Sequence, residues 1–255
     1  MSNAFVAKLQ AIPKRIYTGA KLHVVSERDR RRLEKLRALH EREIQRLLAA
    51  GATSFQRLAV ILRDSKQRYQ IRELACWVLG RLGGKQAAAV LLEVLRGDDR
   101  SLWMPAATNL ALTYNRWALR PVVTILEGGQ PHERREAAAY ARSFSSDKRA
   151  GRHLLAALRN TREVPSVRAR AAEGLGVLEY HPAFPYLVNA LEDKAVAVRF
   201  WATYALAMLE DLQAIPALKR LAATDEIILP HWWSLKREAQ WTIRQIKMRI
   251  AQSRA

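Results

Sequence analysis

Six histidines, one cysteine and one glycine-rich run are where chemistry could sit in this chain of 255 residues. A zinc hydrolase of the HExxH type places two imidazoles one helical turn apart so that both face the same ion. His23, His40, His132, His153, His181 and His231 contain no such pair, so neither a metal nor a cofactor is expected. The run "GRLGGKQ" at Gly80–Gln86 resembles a phosphate loop only superficially. Leu79 stands where the first glycine belongs, Gln86 replaces the Ser or Thr, and the preceding pattern is helical. Cys76 falls beside an apolar helical stripe and reads as a small packing residue rather than a nucleophile. As the sole cysteine it also excludes an intramolecular disulfide, which suits a reducing compartment.

Arginine is the functional group that this chain has in excess. Lys and Arg number 43 against 24 Asp and Glu, for a net charge of +19, a balance that favours an anionic partner. The excess is uneven: +9 over residues 1–63, +7 over 64–164, −1 over 165–225 and +4 over 226–255. No apolar run approaches the roughly 18 residues needed to span a bilayer. The N-terminal stretch is interrupted by Lys8 and Pro13, unlike a secretory signal, so a cytoplasmic location is expected.

The elements that would position these arginines repeat. Leu62, Leu95, Leu126, Leu158, Leu191 and Leu221 follow one another at steps of 33, 31, 32, 33 and 30 residues, and each closes an apolar helical segment. Helical patterns precede them from Ile71, Trp103, Glu133, Val167 and Val198. In the first, Ile71, Leu74, Ala75, Val78, Leu79 and Leu82 form one face. Short breaks at Gly83–Lys85, Ser145–Lys148, Glu179–Pro182 and Glu210–Gln213 separate the helices of a pair. Pro121, Pro185 and Pro216 fall near the start of second helices, where a missing N–H costs little. Ala107, Ala138, Ala171 and Ala202 would let axes approach, and units of this size bury their faces only by stacking.

The pattern VRxxAAxxLGxL…AxPxLxxALxD, present at Val167–Asp193 and with changes at Val198–Leu221, resembles the HEAT repeat, in the HEAT-like form of phycobilisome lyases. The resemblance covers Ile71 to Leu221. It implies an all-α, right-handed superhelical α-solenoid of about six helix pairs, with second helices on the concave side. Residues 1–25 are expected as a basic N-terminal arm, 26–225 as the solenoid and 226–255 as a C-terminal capping helix. Within the solenoid, Ser26 to Ala50 reads as a long helix followed by Thr53 to Arg63, a degenerate first unit.

That placement of second helices selects Arg57, Arg63, Arg96, Arg120, Arg149, Arg152, His153 and Arg159 as a basic binding strip. A planar guanidinium fork suits oxyanions, so the partner is an acidic protein or a DNA or RNA backbone. A solvated charged face is the bland alternative. Catalysis is the reading that the residues favour less. The resemblance carries two enzymatic options, a bilin lyase or chromophore chaperone and an alkylpurine DNA glycosylase. The latter would need an acid such as Glu93, Glu127 or Glu192 beside Trp117.

Arg72, Arg134, Arg168 and Arg199 recur in first helices and are set apart as structural. They are expected to pair with Asp64, Asp98, Asp99 or Asp193 of the preceding inter-unit turns. Trp77, Trp103 and Trp201 are expected to pack, and the His231–Trp233 segment to cover the open end of the array.

Overall fold

A computed structural model describes residues 52–113, 118–143, 148–225 and 234–253, together with residues 49 and 227. The N-terminal arm, nearly all of the first helix expected before Ala50, Trp117 and the His231–Trp233 segment lie outside the described residues. The described residues form twelve α-helices and fall into two compact units that part after Thr113.

In the first unit the helices are α1 (Ala52–Arg63), α2 (Tyr69–Leu82), α3 (Gly84–Arg96) and α4 (Arg100–Leu112). First helices α2 and α4 pack on one another, as do second helices α1 and α3, and α3 also packs on α4. The second unit holds α5 (Leu119–Glu127), α6 (His132–Ser143), α7 (Ala150–Arg159), α8 (Pro165–Val177), α9 (Phe184–Ala190), α10 (Val196–Leu209), α11 (Ile215–Thr224) and α12 (Leu235–Ser253). There α6, α8, α10 and α12 stack as one layer and α5, α7 and α9 as the other. Each unit is thus a two-layer pile of helical hairpins, the α-solenoid arrangement.

The anchor leucines Leu62, Leu95, Leu126, Leu158, Leu191 and Leu221 are all buried, as are Ala107, Ala138, Ala171 and Ala202. Close approach within the first-helix layer depends on the glycine of the repeated Leu-Gly pair. A Cβ on Gly176 of α8 would stand 2.5 Å from the Ala205 Cα of α10, and one on Gly80 of α2 would stand 2.7 Å from Asn109 Oδ1 of α4. Neither site admits even a methyl group without displacement.

Turn chemistry differs from the sequence expectation in one respect. Gly83 and Gly84 take left-handed φ of 66° and 75°, as glycines do readily. At the ends of α8 and α10 the left-handed residues are Glu179 (φ 48°) and Glu210 (φ 56°). One-turn 3₁₀ segments, His181–Ala183 and Leu212–Ala214, follow and lead into α9 and α11. Hydrogen bonds lock the first of these reversals: Tyr180 N–H donates to Leu175 O and Glu179 N–H to Gly176 O.

Within each unit the first-helix arginines staple successive repeats, but forwards rather than backwards. Arg72 donates to the Leu62 carbonyl at 2.9 and 3.2 Å and pairs with Asp99 at 2.5 Å, in the turn that follows its own hairpin. Arg168 repeats the arrangement with the Leu158 carbonyl and Asp193, and Arg199 with the Asp193 carbonyl and Asp225. Each guanidinium therefore satisfies a carbonyl at or just past a helix end and reaches the carboxylate one repeat later. The aspartates are fixed in turn by backbone N–H donors two residues on, from Ser101, Ala195 and Ile227. In α6 the cross-turn pair is made by Arg135, bidentate to Glu163 at 2.6 and 2.8 Å, while Arg134 bonds Gln130 within its own unit.

Candidate binding surface

The second-helix layer carries every described residue of the expected strip, divided between the units. Arg57, Arg63 and Arg96 belong to the first unit. Arg120, Arg149, Arg152, His153 and Arg159 belong to the second. All seven arginines are exposed and His153 is half-buried.

Their environments differ at one recurring register, the residue just after each anchor leucine. After Leu62, Arg63 of α1 makes a bidentate pair with Glu93 of α3 at 2.6 and 2.7 Å. The Arg63 bond and charge hold the Glu93 carboxyl below its ordinary range despite some desolvation. After Leu126, Glu127 of α5 meets His153 Nδ1 of α7 at 2.5 Å, and Arg152 Nε donates to His153 Nε2 at 3.0 Å. After Leu158, Arg159 of α7 lies 4.6 Å from the centre of the Tyr186 ring of α9, a cation–π contact with no carboxylate. Arg96 and Arg120 make no ion pair among the described residues.

Clefts open at this register in both units. In the first, a cleft of about 320 Å³ is lined by Leu62, Val90, Val94 and Leu102 together with Arg63 and Glu93. In the second, a groove of about 650 Å³ runs between the end of α7 and α9, lined by Arg159, Tyr186, Asn189, Glu192 and Lys194. Tyr186, Asn189 and Lys194 were not singled out by sequence. Their only signal was position: Tyr186 stands six residues before Glu192, where His153 stands before Arg159.

A second cluster, also unanticipated, lies in the first-helix layer. The Arg170 guanidinium is 5.3 Å from the Tyr140 ring and 5.7 Å from that of Trp201, and it pairs with Glu173 at 2.9 Å and Glu136 at 3.4 Å. Burial pushes the Glu173 carboxyl up, and Arg170 only partly offsets it. Because Arg170 itself fills the space between the rings, this buried acid has its partner within the protein. Cys76 is buried, and desolvation pushes its thiol to about 12, which leaves it unreactive. No group of three or more His, Cys, Asp or Glu among the described residues is placed to hold a metal ion. Nor is any described helix long and apolar enough to cross a membrane.

Residues 151–229 match the sequence model of the family described as HEAT repeats. No curated protein sequence matches. Among solved structures, Kap95p from its complex with RanGDP aligns over 96% of this chain and 41% of its own length, at 12% identity and a TM-score of 0.61. Human deoxyhypusine hydroxylase in complex with glycerol aligns over 66% of this chain and 67% of its own, at 21% identity and a TM-score of 0.47. The CpcE–CpcF complex of phycocyanin lyase from Nostoc sp. PCC7120 aligns over 76% and 83%, at 21% identity and a TM-score of 0.46. These likenesses concern the fold. The repeat register, the two-layer stacking and the matched segment agree: residues 151–229 carry HEAT repeats, and the described helices of each unit have the α-solenoid arrangement.

Proposed function

We propose that the chain is a non-catalytic binding module whose second-helix layer engages an acidic protein. The observation that carries this reading is the mixture of sign at the register after the anchor leucines: Arg63 and Arg96 in the first unit, and Glu127, Arg159, Glu192 and the neutral Ala222 in the second. A phosphodiester backbone presents negative charge at every step and would meet Glu127 and Glu192 as well as the arginines. A protein surface mixes acids with neutral donors and can match both signs. The exposed Arg96, Arg120 and Arg152 supply the net attraction, and rim charges of this kind set association rate and salt dependence more than final affinity.

Fluorescence polarisation tests the choice with two labelled probes of equal charge, a glutamate-rich peptide and a single-stranded oligonucleotide. The expected outcome is salt-sensitive binding of the peptide, tighter than that of the oligonucleotide and weakened by Arg120→Glu with Arg152→Glu. Tighter binding of the oligonucleotide would transfer the module to nucleic acid. Binding of neither would leave the charged layer as a solvated face.

A further inference from the structure

We propose that the groove between the C-terminal end of α7 and α9 is a docking site for an extended acidic peptide. In it Arg159 and Lys194 take a side-chain carboxylate, and Asn189 with Glu192 takes the peptide main chain. This inference rests on the protein-partner reading above and assigns it a place.

Four observations converge. First, the Arg159 guanidinium is held against the Tyr186 ring, so its free N–H edges are oriented before any ligand arrives, which lowers the ordering cost of binding. Second, of the two acids that line the groove, Asp193 is already committed. Asp193 pairs with Arg168 and accepts the Ala195 N–H at 2.9 Å, and both side chains of that pair are largely buried. Arg159 and Lys194 therefore face the groove without a carboxylate partner among the described residues. Third, the side chains of Asn189 and Glu192 are exposed along the same groove. An amide both donates and accepts, and a carboxylate accepts only, so together they match the N–H and C=O groups of a main chain. Fourth, the volume of about 650 Å³ falls within the roughly 300–1,000 Å³ typical of ligand clefts.

The same residues argue against a polyphosphate here. A phosphodiester has no donor to offer Glu192, and Arg159 covers one face of the Tyr186 ring against base stacking.

The test is a ¹H–¹⁵N correlation titration of the full-length labelled chain. The probes are acetyl-Gly-Glu-Gly-Glu-Gly-amide, its glutamine counterpart and a ten-residue oligothymidylate. Saturable shifts are expected at Arg159, Lys194 and the Asn189 side-chain amide. The glutamine peptide should bind about tenfold more weakly, the loss expected for a charge-assisted contact. Lys194→Ala and Asn189→Ala should each weaken binding severalfold while the remaining spectrum is unchanged. Saturable shifts confined to Arg120 and Arg152 would overturn the groove but leave the protein-partner reading standing. Equal binding of the two peptides, or tighter binding of oligothymidylate in the groove, would also overturn it. No saturable shift from either peptide anywhere would overturn both.

Discussion

Arg63 in the first unit and Arg159 in the second occupy the same repeat position, one residue past a buried leucine at a helix C-terminus, yet their side chains are used differently. Arg63 is closed onto Glu93 of the neighbouring second helix through two hydrogen bonds. Arg159 rests on Tyr186 and has no acid beside it. What separates them is what the next repeat supplies: Arg63 meets Glu93 two residues before the anchor Leu95, whereas the position two before Leu191 is Asn189 and Arg159 rests instead on Tyr186, five before it. The intermediate case, Glu127 with His153, shows the register accepting reversed polarity without loss of stacking.

The contrast can be broken most severely at Arg168. Arg168→Ala leaves Asp193 without its largely buried partner and should lower stability by about 3 kcal/mol. Chemical denaturation checks the loss. In protein that remains folded, the freed Asp193 should compete for Arg159 or Lys194, so the acidic pentapeptide should bind more weakly. Unchanged peptide binding would show that Asp193 plays no part in keeping the groove open.

A milder change replaces the ring beside Arg159 with an acid. Tyr186→Glu gives Arg159 a carboxylate neighbour and should reduce pentapeptide affinity about tenfold, the worth of one charge-assisted contact, with little change in unfolding midpoint. Isothermal titration beside a thermal melt separates the two effects.

Acidification probes the pairs that staple repeats in both units. At Glu163, burial alone would raise the carboxyl, but the Arg135 bonds and the Val164 N–H hold it below the ordinary range. Asp99 is held low chiefly by Ser101, then by Arg72. A carboxyl depressed in the folded state contributes stability that is complete above its unfolded value near 4 and is lost as pH falls through the folded value. Urea midpoints should therefore be flat towards these two groups from pH 7 to about 5 and fall below about 4. Glu163→Gln should flatten that acid limb, and an unchanged limb would contradict the assignment.

The smallest effect is expected at Glu93→Gln. It releases Arg63 at an exposed pair, so the melting temperature should not move measurably. New pentapeptide-induced shifts at Arg63 would show that the first unit was closed by its own glutamate, and their absence would mean that the groove around Arg159 needs more than a free arginine.

Much of this was legible in the chain. Helix pairs, their period, the buried leucines and alanines, the prolines in first turns and the stapling role of Arg72, Arg168 and Arg199 all follow from spacing, because a side chain one repeat away must land on the equivalent spot of the next hairpin. The direction of the staple did not follow: Arg72 reaches forward to Asp99 although Asp64 is nearer in sequence. Likewise Arg135 rather than Arg134 makes the cross-turn pair in α6, a choice between adjacent residues that depends on how far the helix is rotated.

By itself the sequence determined a stack of helical hairpins with a cationic surplus, since periodicity and charge are sums over local residues. Tertiary structure alone decided which cations remain available. Whether an arginine meets a glutamate, as Arg63 does, or a phenol, as Arg159 does, depends on a side chain about thirty positions away, brought within a few ångströms only when neighbouring helices settle into register.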